Sequence, residues 1–165
     1  MPTDPRELSH VRSGPGGPES TMVDVGGKPV SERSALARAR VRFPAGILAR
    51  VLAGGGPKGP VTEVARVAGI QAAKRTSEWI PMCHVLPLDH VAIEFEAVEE
   101  DLLEVRCRVA CTARTGVEME AMVGASAAAL AVYDMTKALS HGIAIERVEL
   151  VEKLGGKSGT WRRDT

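Results

Sequence analysis

The chain has 165 residues, 44% of them hydrophobic and only 3% aromatic, and its 21 Lys and Arg residues balance 21 Asp and Glu residues. This length suits one domain whose core is filled mainly by Ala, Val, Leu and Ile. A net charge of zero argues against general nucleic-acid binding, which needs a basic excess, but it is compatible with a local basic pocket.

Cysteine usage and hydropathy indicate a cytoplasmic protein. Cys83, Cys107 and Cys111 form no CxxC pair, and an odd number argues against a secreted disulfide framework. We interpret Cys107 and Cys111 as small buried residues on one face of a strand. No apolar run reaches the ~18 residues of a membrane span, and residues 1–20 lack a signal-peptide core. We therefore expect no membrane contact.

The N-terminal part of the chain changes character near residue 21. Residues 1–20 contain four Pro and three Gly, which predicts a disordered arm before a single domain over 21–162 and a short tail over 163–165. Residues 36–43 alternate between apolar residues and Arg38, Arg40 and Arg42, as in a half-buried strand. The arginine row either binds phosphate or, as we prefer, forms a solvated sheet face.

The rest of the chain predicts alternating helices and strands. Two of the predicted strands form a hairpin with a turn at residues 99–101, and a change of phase after Ile145 indicates a bulge in the last strand. The order is the β-α-β-β-α-β arrangement of a ferredoxin-like α+β sandwich. The expected elements are a helix over 44–52, a helix over 61–77 that breaks at 68–69, strands over 91–96 and 103–109, a helix over 115–139 and a strand over 142–151.

The long helix carries charged groups only towards its two ends. Glu118 and Glu120 lie at its start, and Asp134 and Lys137 share one face at its end. The latter pair is either a surface ion pair or a placed acid and base, since a carboxylate is unfavourable near a helix C-terminus. Sixteen residues at 1.5 Å separate the ends by about 24 Å, so one chain cannot join both in a small pocket. Two subunits arranged about a twofold axis can pair them.

Two loops carry further candidates. His84 follows Cys83 in a loop with two prolines, where it is either structural or placed for hydrogen bonding or proton transfer. The other histidines show no metal-ligand pattern, so we expect no metal. Residues 155–159, Gly-Gly-Lys-Ser-Gly, lack the first glycine of a nucleotide-binding P-loop, but Lys157 and nearby Lys153 suit an anion. A disordered tail is the alternative.

Seven motifs together resemble the MoaC family, the cyclic pyranopterin monophosphate synthases of molybdenum cofactor biosynthesis. The resemblance runs from about residue 21 to 162. The motifs are Met-Val-Asp-Val at 22–25, Lys-Gly at 58–59, Ala-Arg-Val-Ala-Gly-Ile-Gln-Ala-Ala-Lys-Arg-Thr at 65–76, Ile-Pro-Met-Cys-His at 80–84, Thr-Gly-Val-Glu-Met-Glu-Ala at 115–121, Tyr-Asp-Met at 133–135 with Lys137, and Gly-Gly-Lys-Ser-Gly at 155–159.

The resemblance implies that 3′,8-cyclo-7,8-dihydro-GTP is converted to cyclic pyranopterin monophosphate with release of pyrophosphate, without metal or organic cofactor. It also implies a homohexamer of three dimers, with sites at the dimer interface. Asp134, Lys137 and Lys58 are then the expected catalytic residues. The expected substrate-binding residues are Met82, Cys83, His84, Glu118, Met119, Glu120, Lys153, Lys157 and Arg33.

Two departures from the family pattern keep other interpretations open. Pro60 stands where the family usually has Asp after Lys-Gly, and Arg114 stands where it usually has Lys before Thr-Gly. Pro60 removes a donor and an expected helix cap, while Arg114 keeps charge with different geometry. A weakened relative that only binds a nucleotide or pterin is therefore one alternative. A purely structural oligomer, with interface ion pairs at the helix ends, is another.

Overall fold

The computed structural model describes residues 11–157 and 159–164. Its strands are β1 (Val11–Gly14), β2 (Gly17–Ser20), β3 (Ser31–Arg42), β4 (His90–Glu99), β5 (Leu102–Ala113), β6 (Ala144–Leu154) and β7 (Trp161–Arg162). Its helices are α1 (Ile47–Gly54), α2 (Val61–Ala73), α3 (Thr76–Trp79) and α4 (Glu118–Thr136).

An antiparallel sheet in the order β4-β5-β3-β6-β7 carries helices on one face. The first four strands have the order and directions of a ferredoxin-like sandwich, so the predicted fold class is confirmed. The β3 alternation is confirmed as well, since Ala37, Ala39 and Val41 are fully buried under α4. On β5, Cys107 and Cys111 are both buried, as expected. Burial raises the pKa of the Cys107 thiol to about 12.

The arginine row of β3 is engaged within the sheet. Arg38 Nε bonds Glu149 at 2.7 Å, and Arg40 Nε bonds Glu104 at 3.0 Å. Glu104 also accepts from Arg106 at 2.8 Å, and its side chain is only 1% exposed. This face of the sheet is therefore an ion-pair network around a buried carboxylate. The alternation had indicated only a solvated face.

A small hairpin corrects the prediction for part of the N-terminal arm. Residues 11–20 pair as the β1-β2 hairpin, with Val11 opposite Ser20, where composition predicted a disordered arm. Residues 1–10 of that predicted arm lie outside the described residues. Near the C-terminus, β7 pairs with β6, so Trp161 and Arg162 belong to the sheet and lie inside the predicted domain over 21–162.

The helix expected over 61–77 breaks later than predicted. Gly69 lies inside α2, and the chain breaks only between Ala73 and Thr76. Because α2 packs closely on α4 here, a Cβ on Gly69 would lie 2.9 Å from the Gly124 carbonyl oxygen. The glycine therefore permits close helix packing and does not end the helix. The predicted bulge in β6 is confirmed, since the β3-β6 register skips Glu146.

Candidate active site

A three-residue charge cluster lies at the C-terminal end of α4. Asp134 Oδ1 is 2.8 Å from Lys137 Nζ, and Asp134 Oδ2 is 2.7 Å from Lys58 Nζ. Hydrogen bonds from Lys137 and Lys58 lower the pKa of Asp134 to about 2. The same contact raises the pKa of Lys137. The three sequence-predicted catalytic residues thus meet in one cluster, with a stably ionised carboxylate between two ammonium groups.

The loop after α1 brings Lys58 to this cluster. Gly55 and Gly59 have positive φ values of 75° and 104°, and Gly56 and Gly59 bond each other through their backbones. A Cβ on Gly56 would lie 3.0 Å from the Met135 carbonyl oxygen, so the loop packs against the end of α4. Pro60 gives α2 no side-chain cap. Lys58 nevertheless reaches Asp134.

The N-terminal end of α4 borders a cavity of about 340 Å³. Acidic residues suit this end of a helix, where the backbone N–H groups create positive potential. The structure brings six predicted site residues to this cavity, which we call the carboxylate cavity. They are Met82, Cys83, His84, Glu118, Met119 and Glu120.

Glu120 is the most buried acid of the carboxylate cavity. Its residue is 4% exposed, and burial, assisted by the nearby charge of Glu118, raises its pKa to about 6. A carboxyl group with this pKa exchanges a proton readily near neutral pH. Burial, followed by the charge of Glu120, raises the pKa of the Cys83 thiol. Cys83 is therefore suited to contact a ligand as a neutral thiol.

His84 holds the segment before β3 beside this cavity. Its Nε2 lies 2.8 Å from the Val23 carbonyl oxygen. A carbonyl oxygen only accepts, so Nε2 carries the proton and donates it. The same segment supplies Val23, Val25 and Lys28 to the cavity wall. Hydrogen bonding, one of the two functional roles considered for His84, is therefore directed at the backbone.

A second cavity, of about 600 Å³, adjoins the first and shares Lys28, Thr115, Gly116 and Glu118 with it. We call it the cationic cavity. Glu118 marks the boundary, since its carboxylate lies 3.5 Å from Lys153 Nζ. The cationic residues that line it are Lys28, Arg33, Arg114, Lys153 and Lys157.

Arg33 lies against the glycine-rich loop. A Cβ on Gly156, whose φ is 79°, would overlap the Arg33 guanidinium, so the glycine leaves room for it. Arg33 Nε is buried without a hydrogen-bond partner in the described residues. An unpaired buried donor is costly, and an anion in the cavity relieves that cost. Ser158 of the loop motif lies outside the described residues.

The structure thus groups the predicted site residues into two sets at opposite ends of α4. Because α4 is continuous from Glu118 to Thr136, the expected separation of about 24 Å between Glu118 and Asp134 holds. Sequence reasoning omitted Lys28, which lines both cavities. Its signal was its place three residues after the Met-Val-Asp-Val motif.

Residues 11–157 and 159–164 contain neither a cluster of metal ligands nor a membrane-spanning helix. No three His, Cys, Asp or Glu side chains in this part of the chain are grouped to hold a metal ion. No described helix is both long and apolar enough to cross a membrane.

Comparison with known proteins identifies the family of this chain. Residues 22–156 match the MoaC family. Cyclic pyranopterin monophosphate synthase of Thermomicrobium roseum is 52% identical over 147 residues, covering 88% of this chain and 89% of the relative. The synthase of Xanthomonas oryzae pv. oryzae is 54% identical over 139 residues, covering 83% and 84%. That of Chloroflexus aggregans is 46% identical over 159 residues, covering 96% and 94%. This chain therefore belongs to the MoaC family.

Proposed function

We propose that this chain is a cyclic pyranopterin monophosphate synthase of molybdenum cofactor biosynthesis. It converts 3′,8-cyclo-7,8-dihydro-GTP to cyclic pyranopterin monophosphate and releases pyrophosphate, which makes it a phosphorus–oxygen lyase. The observation that carries the proposal is a cationic cavity adjoining a carboxylate cavity, in a chain about half identical to synthases of this name.

The two cavities suit different parts of this substrate. Arg33, Lys153 and Lys157 supply positive charge for the triphosphate and for the charge that develops as pyrophosphate leaves. Met82, Cys83 and Met119 offer apolar contacts to the ring system. Glu118, Glu120 and His84 offer polar contacts beside it. Glu120, whose pKa is about 6, is suited to hydrogen-bond ring nitrogens in either protonation state.

The proton transfers are assigned to the cluster at the other end of α4. Rebuilding the pterin ring needs groups that give and take protons, and Asp134, Lys137 and Lys58 provide one carboxylate and two ammonium groups. Within one chain they lie about 24 Å from the carboxylate cavity. We therefore propose that the complete site forms between two subunits, in a homohexamer built from three dimers.

A cytoplasmic location fits the same proposal. Cys83, Cys107 and Cys111 are free thiols, and the last two are buried in the core. Free cysteines are ordinary in a reducing compartment.

Turnover of the cyclic dihydro-GTP intermediate tests the function directly. Purified full-length protein is expected to release pyrophosphate and form the cyclic monophosphate. A folded, assembled protein that binds the intermediate without pyrophosphate release would support the weakened binder that Pro60 and Arg114 leave open. An assembled protein that neither binds nor converts it would support a structural oligomer.

Subunit mixing tests the shared site. Glu118→Gln and Asp134→Asn each inactivate one set of residues, so neither variant alone is expected to turn over. A mixed dimer retains one of its two sites with both wild-type ends. Random exchange at equal amounts makes half of the dimers mixed. The expected recovery is therefore about a quarter of the wild-type activity. Mass spectrometry confirms that the subunits have exchanged. If activity still does not recover, the shared geometry is refuted.

A further inference from the structure

The charge cluster at the end of α4 has both carboxylate oxygens of Asp134 occupied. Lys137 Nζ takes one oxygen at 2.8 Å, and Lys58 Nζ takes the other at 2.7 Å. Tyr133 is the other titratable group that acts on Lys137, whose pKa it helps to raise. Lys137 and Lys58 are the charged groups that act on Asp134. A carboxylate held in this way is a poor proton acceptor, because accepting a proton breaks favourable charged contacts.

The cluster is nevertheless open to a competing anion. The side chains of Lys58, Asp134 and Lys137 are 45%, 53% and 47% exposed. Lys58 stands on a loop between two glycines with positive φ, and Lys137 follows the last residue of α4. Ion pairs this exposed are weak, and phosphate oxygens are strong acceptors for ammonium groups. Both lysines therefore have room, among the described residues, to exchange partners.

We propose that the Lys58–Asp134–Lys137 cluster is a resting arrangement that the phosphate groups of the substrate open. When phosphate oxygens take the two ammonium groups, Asp134 loses its charged partners and becomes able to accept a proton. The lysines stay protonated, so no covalent bond changes in this step. The proposal rests on the function proposed above, and it adds that the base is switched on by substrate binding.

The consequence is an order of events. In the free protein the lysines neutralise Asp134, and the carboxylate is held as an anion that does not act as a base. Phosphate binding transfers the lysines to the substrate at the moment when a proton acceptor is needed. Lys58 and Lys137 then add to the positive charge that the cationic cavity supplies, and the same exchange of partners makes Asp134 basic for the ring chemistry.

Carbon-13 NMR of full-length protein labelled at aspartate, together with nitrogen-15 NMR of protein labelled at lysine, tests this with pyrophosphate as the probe. The Asp134 carboxyl signal, assigned by its loss in Asp134→Asn, is followed against pH with and without saturating pyrophosphate. In the free protein we expect the titration midpoint to lie near pH 2, or below the pH range in which the protein stays folded. Pyrophosphate is expected to raise it by at least one pH unit. Lys58→Ala is expected to raise it without any ligand, since one partner is already absent.

The control is Asp101, whose carboxylate accepts the Gly46 N–H at 3.0 Å and pairs with no lysine among the described residues. Its midpoint should not respond to pyrophosphate. An Asp134 midpoint that stays unchanged while the Lys58 and Lys137 Nζ signals shift would overturn the proposal. Absence of any pyrophosphate effect on these lysines at millimolar concentration would also overturn it.

The turnover assay separates this result from the function. Normal turnover with an unmoved Asp134 midpoint rejects the switching alone. A moved midpoint in a protein that does not convert the cyclic dihydro-GTP intermediate rejects the proposed reaction alone.

Discussion

Gly69 of α2 and Gly124 of α4 lie against each other where these two helices pack. A Cβ on Gly124 would lie 2.6 Å from Cys107 Sγ and 3.3 Å from the Gly69 carbonyl oxygen. Both helices can therefore approach each other and the sheet only because neither residue has a side chain. This packing fixes α4 over the sheet and so places the two ends that carry the candidate site.

Gly124→Ala is expected to destabilise the protein even though alanine favours helices. Overpacking a tight core costs about 1–3 kcal/mol, against roughly 1 kcal/mol gained from helix propensity. Urea unfolding at fixed protein concentration measures the difference. Gly54→Ala at the end of α1 is the control, because its added Cβ would meet nothing within 4 Å. Equal midpoints for the two variants would contradict the packing argument.

Asp134→Asn and Lys137→Ala are each expected to lower kcat by roughly 10²–10⁴, the range typical of lost acid–base catalysis. The fold should survive, since both side chains are about half exposed. Glu63→Gln is a matched control, because Glu63 forms an i,i+3 ion pair with Arg66 on the surface of α2. Steady-state kinetics and size-exclusion chromatography provide the comparison. A near-wild-type rate in either site variant would remove its assigned role.

Gly156→Ala is expected to raise KM for the triphosphate substrate through Arg33. The added methyl group overlaps the guanidinium, which must leave its position in the cationic cavity. Gly159→Ala separates this effect from backbone strain, because Gly159 also has a positive φ but open space around it. We expect KM to rise about tenfold more in Gly156→Ala, as for loss of one charged hydrogen bond. Equal effects would show that Arg33 is not involved.

His84→Phe is expected to loosen the segment that Val23 belongs to. The variant keeps a ring but removes the donor to the Val23 carbonyl oxygen. Loss of this hydrogen bond lowers the free energy of opening the segment by about 0.5–1.5 kcal/mol. This corresponds to roughly 2- to 10-fold faster amide exchange over residues 21–28. Hydrogen–deuterium exchange detects this, and His141→Phe, at an exposed position, is the control. Unchanged exchange in His84→Phe would mean that the segment is held by other contacts.

Glu120→Gln is expected to become more stable relative to wild type as pH rises. Burial raises the Glu120 pKa from an ordinary 4.5 to about 6, so the folded state holds this proton more tightly than the unfolded state. The stabilisation from the neutral form is complete below about pH 4.5 and is lost as pH rises through about 6. The shift corresponds to roughly 2 kcal/mol at most. Urea unfolding at pH 4.5 and pH 7.5 measures how the stability difference between Glu120→Gln and the wild type changes with pH.

The exposed Glu78→Gln on α3 is the control for this pH effect, and its difference from wild type should stay constant. A Glu120→Gln difference that is equally independent of pH would show that Glu120 ionises as easily in the folded as in the unfolded chain.

Sequence patterns predicted the elements whose signal is local and periodic. The alternation of β3 and β5 identified their buried faces, and the change of phase after Ile145 identified the bulge, because side-chain direction follows strand periodicity. The predicted position of the helix break was wrong, because a glycine that permits close packing cannot be distinguished in the sequence from one that ends a helix. The hairpin over 11–20 was missed because proline and glycine also occur in turns.

In the candidate site, too, the features with a local sequence signal were predicted and those without one were not. Helix geometry alone predicted that Glu118 and Asp134 lie far apart, since rise per residue is fixed. The loop contact that brings Lys58 to Asp134 joins residues 76 positions apart, and no local pattern encodes it. Lys28 was missed for a related reason, because a lysine in an exposed glycine-rich segment has no periodicity to distinguish it.

The length of α4 has a consequence for enzyme kinetics. In the shared site that we propose, each end of α4 supplies half of a site, so an isolated chain would hold no complete site. Specific activity should then fall on dilution, with a midpoint at the dissociation constant of the subunit pair. Well below that concentration, rates would be second order in chain concentration. A sequence change that weakens association would then imitate a catalytic defect, even far from either cavity.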